Sequence, residues 1–288
     1  MSRSGTISSN GQEIYYEVHG DGQPLVLVMG IGYDSSLWKL QQVPALSKQF
    51  RVVIFDNRDA GRSSRASQQY SIGDMADDVA GLLDGLDIPH AHLLGLSMGG
   101  MIGQAFALRH PERLNRLVLS GVGAAPARSA FDPIRIWSWV KSHDDAGEAF
   151  GAQQFVWLFS SSFLRNDAAV KQTLALLASN PNPMTRDAYS RQATAYLQHD
   201  MLDRLSDIQA PTLVVGGEQD LLTPPWVLQE VASVIPGAEL RIFRGDGASH
   251  LLPLERPAEF NQLVTDFLSE PVRTPHAEPV AATGLVVT

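Results

Sequence analysis

Two periodicities alternate along this chain, and that alternation is the strongest constraint on its fold. Leu25-Val-Leu-Val-Met29 is a nearly unbroken apolar run ending at Gly30, the pattern of a strand buried on both faces. Val52-Val-Ile-Phe55, Ala91-His-Leu-Leu-Gly95, Leu117-Val-Leu119, Pro211-Thr-Leu-Val-Val215 and Glu239-Leu-Arg-Ile-Phe243 read as further strands. Gln12 to His19 is another, turned by Gly20-Asp-Gly-Gln-Pro24. Helical spacing fills the intervals at Trp38 to Gln49, Asp74 to Leu86, Met101 to Arg109, Trp226 to Val234 and Pro257 to Phe267. Within the second of these, Met75, Val79, Leu82, Leu83 and Leu86 fall on one face. Such alternation implies a parallel sheet wrapped on both faces by helices.

The rhythm stops between residues 122 and 205, where no buried-strand run occurs and the pattern is mostly helical. The expected organisation is a core of residues 1–121 and 206–269, a helical insertion over 122–205, and an aperiodic flexible tail over 270–288. A chain of 288 residues, 44% hydrophobic and 18% charged, buries enough core to need no covalent staple. The absence of cysteine excludes disulfides, thiolate zinc sites, cysteine-ligated iron–sulfur clusters and a cysteine nucleophile together. A net charge of −9 with no basic stripe argues against nucleic acid as a partner. The first residues lack the apolar core of a signal peptide, and no apolar run approaches the ~20 residues of a spanning helix. The expected class is soluble and cytoplasmic.

The chemistry is concentrated at Gly95-Leu-Ser97-Met-Gly99, where a buried strand meets a helix. In that context G-x-S-x-G marks a turn so sharp that the serine is strained and only small residues fit beside it. The turn lifts the Ser97 hydroxyl above the sheet edge, and the helix N-terminus offers free N–H groups to an oxyanion. A serine nucleophile needs a base, and the base needs an orienting acid. Of eight histidines, His19, His90, His92, His110, His143, His199 and His276 sit where surface or capping roles are usual. His250 lies in the small-residue loop Gly245-Asp-Gly-Ala-Ser-His250, after the last strand, on the same sheet edge as Ser97. The leading acid is Asp220, in the loop after the preceding strand, with Glu218 and Asp246 as rivals on the same edge. Ser97, Asp220, His250 is the chain order of one serine-hydrolase fold among several that share the triad. His90-x-His92 lacks the acidic partners of a hydrolytic metal centre, and Gly30-x-Gly32 lacks the third glycine of a dinucleotide fingerprint, so neither metal nor cofactor is expected.

These motifs, with Glu255-Arg-Pro257 and Asp56-Asn-Arg-Asp-Ala-Gly-Arg-Ser63, resemble the α/β-hydrolase family over about residues 5 to 269. The resemblance implies an α/β fold with an eight-stranded, mostly parallel sheet and makes the insertion a helical cap. It implies Ser97 as nucleophile, His250 as base and then acid, and Asp220 as its orienter. It also implies an oxyanion hole from the backbone amides of Met98 and Ile31. The chain departs from the family at Met29-Gly-Ile-Gly32, where His-Gly is common, and at Asp59, where glycine is common. A backbone amide does not depend on the missing imidazole, and aspartate tolerates left-handed backbone. Both departures look like the branch containing aclacinomycin methylesterase, which would imply a methyl ester of a bulky aromatic compound.

Residues 131 to 163 hold eight aromatics: Phe131, Trp137, Trp139, Phe150, Phe155, Trp157, Phe159 and Phe163. Most are expected to form the insertion's own core, with two or three lining an apolar pocket. Ile31, Met98 and Trp157 are the candidate substrate contacts. The expected activity is hydrolysis of a carboxylic ester of an apolar or aromatic small molecule through an acyl-enzyme. Lactonase, carbon–carbon bond hydrolase and cofactor-free perhydrolase chemistry use the same machinery, and a non-catalytic ligand receptor is the alternative of a different class.

Overall fold

The buried runs pair into one sheet. In the structure, a computed structural model describing residues 3–126, 132–143 and 148–270, eight strands form in chain order. They are β1 (Arg3–Ser9), β2 (Gln12–His19), β3 (Gln23–Val28), β4 (Phe50–Phe55), β5 (Ala91–Leu96), β6 (Leu114–Ser120), β7 (Thr212–Gly217) and β8 (Glu239–Phe243). Their spatial order is β1-β2-β4-β3-β5-β6-β7-β8. β1 pairs β2 antiparallel and β2 pairs β4 antiparallel. Every pairing from β4 through β8 is parallel. β5 and β7 are buried at every residue, including the polar His92 and Thr212 that interrupt their apolar runs.

β1 is absent from the sequence reading, and its position explains why. It is an edge strand on which only Ser9 is buried, so Arg3, Ser4, Thr6 and Ser8 carry no apolar alternation. β8, the opposite edge, is half-buried throughout.

Helices α1 (Trp38–Leu46), α2 (Ile72–Gly85), α3 (Met98–Arg109), α9 (Pro225–Val234), α10 (Leu252–Glu255) and α11 (Pro257–Ser269) flank the sheet. Five more intervene between β6 and β7: α4 (Pro133–His143), α5 (Glu148–Leu158), α6 (Ser161–Leu164), α7 (Asp167–Ala178) and α8 (Arg186–Gln198). The α2 start is fixed by a capping box: Ser71 Oγ accepts from Asp74 N, and Asp74 Oδ2 accepts from Ser71 N. α3 begins three residues before the expected Met101, so it starts immediately after Ser97. Its first turn contains Gly99 and Gly100, poor helix formers whose cost is outweighed by packing against the sheet.

The insertion's aromatics divide by helix face. Trp137, Phe155 and Phe159 are buried, while Phe150, Trp157 and Phe163 pack half-buried against the core. Phe159 and Phe163, one turn apart, stack at 4.0 Å between centroids. Trp139, two residues from Trp137 and so on another face, is 64% exposed and stacks on His143. Phe131 and residues 271–288, all of the expected tail except Glu270, lie outside the described residues. No described helix is long and apolar enough to cross a membrane.

Candidate active site

Sheet and helix meet at Ser97 so closely that glycine is required on both sides. A Cβ on Gly95 would lie 2.2 Å from the Gly99 carbonyl oxygen, and one on Gly99 would lie 2.1 Å from that of Val28. The chain reverses between them by placing Ser97 at φ 56°, ψ −123°, outside the regions an L-residue prefers. Ser97 N donates to Ser120 O at 2.9 Å, which fixes the turn to the neighbouring strand. Every residue from 91 to 107 is buried except Ser97. The strained turn therefore presents one side chain to solvent. Met98 opens α3, so its N–H belongs to the helix's first turn, which has no intrahelical acceptor.

The loop after β3 leans on this turn. A Cβ on Gly30 would stand 3.2 Å from Ser97 Cβ, a contact few residues other than glycine could make. Asn57 Nδ2 donates to Met29 O at 3.0 Å, and Gly32, at φ 82°, donates its N–H to Gln192 Oε1 of α8 at 3.0 Å. Ile31 and Met98 are both buried beside Ser97's turn.

At the same edge of the sheet, His250 Nδ1 lies 2.8 Å from Asp220 Oδ2. The rivals are elsewhere: Glu218 is exposed and accepts from Gly245 N at 2.6 Å, and Asp246 is exposed. Asp220 is itself held by Leu222 N at 2.8 Å, Thr223 N at 2.9 Å and Thr223 Oγ1 at 2.6 Å. Burial alone would raise its carboxyl. Its attraction to His250, then its hydrogen bonds to His250 and Thr223, outweigh that and hold it below the usual carboxylate range. With Nδ1 committed to Asp220, Nε2 is the ring nitrogen left for another partner. Gly121 joins the two halves of the site. It follows Ser120, the acceptor for Ser97 N, and a Cβ on it would lie 3.2 Å from His250 Cε1 and Nδ1. No hydrogen bond from Ser97 Oγ is formed among the described residues; such bonds often close only when substrate arrives.

Glu255 fastens the histidine loop to the insertion. Its carboxylate accepts from Ser249 Oγ at 2.5 Å, and from Ser160 N at 2.9 Å and Oγ at 2.5 Å. The Asp56–Ser63 stretch is scaffold. Buried Asp56 accepts from Ser35 N and Oγ and from Arg62 N and Nε. Asp59 takes φ 70°, the left-handed backbone expected of it, and receives Arg191 of α8 in two hydrogen bonds of 2.7 and 2.8 Å. Among the described residues no group of three or more histidines and carboxylates could hold a metal ion.

A family model described as alpha/beta hydrolase fold matches residues 23–257. The chain belongs to the α/β-hydrolase family. A relative from Azorhizobium caulinodans, provisionally named carbamate hydrolase RutD, is 31% identical over 90% of this chain and 96% of its own. The enol-lactonase from Burkholderia xenovorans LB400 is 30% identical, with TM-score 0.82, over 92% of this chain and all of that one. The meta-cleavage product hydrolase from Pseudomonas fluorescens IP01 is 25% identical, with TM-score 0.77, over 92% and 97%. These relatives support hydrolase activity for this α/β hydrolase.

Two roles in this site have no sequence signal. Gln192 reaches the loop after β3 from 160 residues away. Thr223 shares the loop of Asp220, but a threonine before two prolines reads only as turn chemistry. Two of the histidines assigned to the surface are buried instead. His92 sits inside β5 against Gln23, and His199 lies against Gln104 Oε1 at 3.1 Å. Burial pushes both imidazoles down to about 4.

Proposed function

We propose that this α/β hydrolase cleaves a carboxylic ester by a serine acyl-enzyme mechanism. The observation that carries the reading is the strained, solvent-facing Ser97 on the same edge as the buried Asp220–His250 pair. Ser97 Oγ attacks the ester carbonyl as His250 Nε2 takes its proton, and Asp220 stabilises the imidazolium through Nδ1. The carbonyl oxygen becomes an oxyanion, which the N–H groups of Met98 and Ile31 receive. Collapse expels the alcohol, protonated by His250, and leaves an acyl group on Ser97. His250 then activates water, which releases the acid and restores the hydroxyl. Ile31, Met98 and Trp157 contribute apolar contacts to the substrate, under a cap formed by residues 122–205.

A second reading, opening of a cyclic ester, is favoured by the similarity to an enol-lactonase over nearly the whole chain. It uses the same steps, with the leaving alcohol tethered to the acyl group. The RutD relatives extend the candidates to carbamates. The test is turnover of p-nitrophenyl esters from acetate to decanoate, an aryl methyl ester, an enol lactone and an aryl carbamate, wild type beside Ser97→Ala. Loss of turnover in the variant by about 10⁴-fold or more supports the serine mechanism. Retention of most activity by Ser97→Ala refutes it, and the preferred substrate decides among the bond types.

A further inference from the structure

The loop that carries Ile31 is held by the insertion as well as by the sheet. On one side of the Gly30–Ile31 peptide, Met29 O is fixed by Asn57 Nδ2 at 3.0 Å. On the other, Gly32 N donates to Gln192 Oε1 at 3.0 Å. Gln192 is fully buried, and its Nε2 donates to Arg58 O at 3.0 Å, so both ends of its amide are engaged. Its anchor is rigid, because the Arg58 guanidinium is locked to Asp78 by hydrogen bonds of 2.6 and 2.7 Å. One turn earlier on α8, Tyr189 packs so close to Gly32 that a Cβ there would stand 3.0 Å from the ring. A helix from a separate part of the chain thus sets the position and tilt of the peptide beside Ser97.

We propose that Gln192 is a positioning residue for the oxyanion loop, orienting the Ile31 amide by its hydrogen bond to Gly32 N. Its influence reaches the reaction through that loop alone. The consequence is that seating α8 and completing the oxyanion site are one event. The inference rests on the serine mechanism proposed above.

The test reads Ser97 directly and needs no knowledge of the natural substrate. A fluorophosphonate probe phosphonylates an activated serine, expelling fluoride, and its phosphoryl oxygen occupies the same position as a substrate oxyanion. The full chain is titrated with the probe, and modification of Ser97 is followed by intact mass, which separates the bimolecular affinity KI from the first-order rate kinact. Gln192→Met keeps the volume and removes both the acceptor for Gly32 N and the donor to Arg58 O. Asn180→Ala removes a different insertion-to-core hydrogen bond, to Asp34 Oδ2 at 2.8 Å, and controls for loosening of the insertion. Gln192→Glu in its neutral form restores both hydrogen bonds and serves as the conservative variant.

Positioning predicts that Gln192→Met lowers kinact about 10- to 100-fold with KI within about threefold, a fraction of the loss of a whole oxyanion donor. Asn180→Ala should leave kinact unchanged. Gln192→Glu, which keeps an acceptor for Gly32 N, should recover rate relative to Gln192→Met. Equal kinact in Gln192→Met and wild type overturns the inference alone. So does an equal fall in Asn180→Ala, which would assign the effect to the insertion as a whole. Wild-type protein left unmodified at Ser97 overturns the serine mechanism and this inference with it.

Discussion

Breaking the contact between Asp59 and Arg191 should reveal how firmly the insertion is bound to the core. The Asp59 side chain is completely buried and accepts three hydrogen bonds, two from Arg191 and one from Ala66 N at 2.9 Å. Arg191→Met removes the countercharge and leaves a buried carboxylate with one donor. Loss of one partner from a buried pair costs about 3–5 kcal/mol. Arg191 is one-fifth exposed, so water reaches the pair and about 2–3 kcal/mol is the better expectation. Asp59→Gly acts differently. It removes the acceptor, but it also relieves the left-handed backbone at φ 70°, worth about 1 kcal/mol for a non-glycine residue. The arginine it leaves behind can turn to solvent, so the net loss should be about 1 kcal/mol. In that background Arg191→Met should cost less than about 0.5 kcal/mol more. Urea unfolding of the four proteins gives the coupling energy, expected to be about 2 kcal/mol. Additive single effects, or an Arg191→Met loss under about 0.5 kcal/mol, would refute the reasoning.

Other outcomes follow from the same geometry. Asp220→Asn should lower kcat by about 10⁴-fold, since the amide favours the wrong imidazole tautomer, with little change in KM for a p-nitrophenyl ester. Gly30→Ala should reduce kcat at least about tenfold while shifting stability by under about 1 kcal/mol. Its φ is ordinary, but the new methyl would stand 3.2 Å from Ser97 Cβ, which steady-state kinetics beside thermal melts would register. His92 and His199 are held neutral in the fold, at about 4 against an ordinary 6.5. Between those values the unfolded chain binds protons that the folded chain does not, so their contribution is complete above pH 6.5 and lost as pH falls towards 4. Each accounts for at most about 3 kcal/mol. Thermal melts from pH 7.5 to 4.5 should fall more gently for His199→Gln, which retains a polar partner for Gln104; an unchanged slope would rule out His199 as a contributor.

The strands at the centre of the sheet were legible because burial on both faces leaves an unbroken apolar run. Leu25–Met29 is such a run, and the structure extends it by two residues at one end and trims it by one at the other. The turn at Ser97 was legible for a steric reason: Gly95 and Gly99 have no room for a Cβ, so the motif is written into the backbone. Asp220 emerged from strand order, and the 2.8 Å contact with His250 separates it from Glu218 and Asp246. β1 stayed hidden because an edge strand of Arg, Ser and Thr buries almost nothing. His92 and His199 were misread because a polar residue gives no sign of burial until its partner is known. Gln23 and Gln104, their partners, are 69 and 95 residues away. The Gln192 contact belongs to the same class, since a glutamine on a helix is equally at home in water.

The position of His250 in the last parallel strand–loop–helix unit has a consequence for the timing of synthesis. Ser97, its helix and the loop at Gly30 leave the ribosome first, followed by the whole insertion, β7 and Asp220, with β8 and the His250 loop last. At about 5–20 residues per second, the proposed nucleophile waits roughly 8–30 s for its proposed base. Through that interval Ser97 lacks the group to which the proposed mechanism gives its proton. On the proposed mechanism, a nascent chain built in this order does not hydrolyse what surrounds it before its specificity elements exist. A circular permutation that moved β7 and β8 ahead of β3 would abolish that delay while leaving the finished site the same.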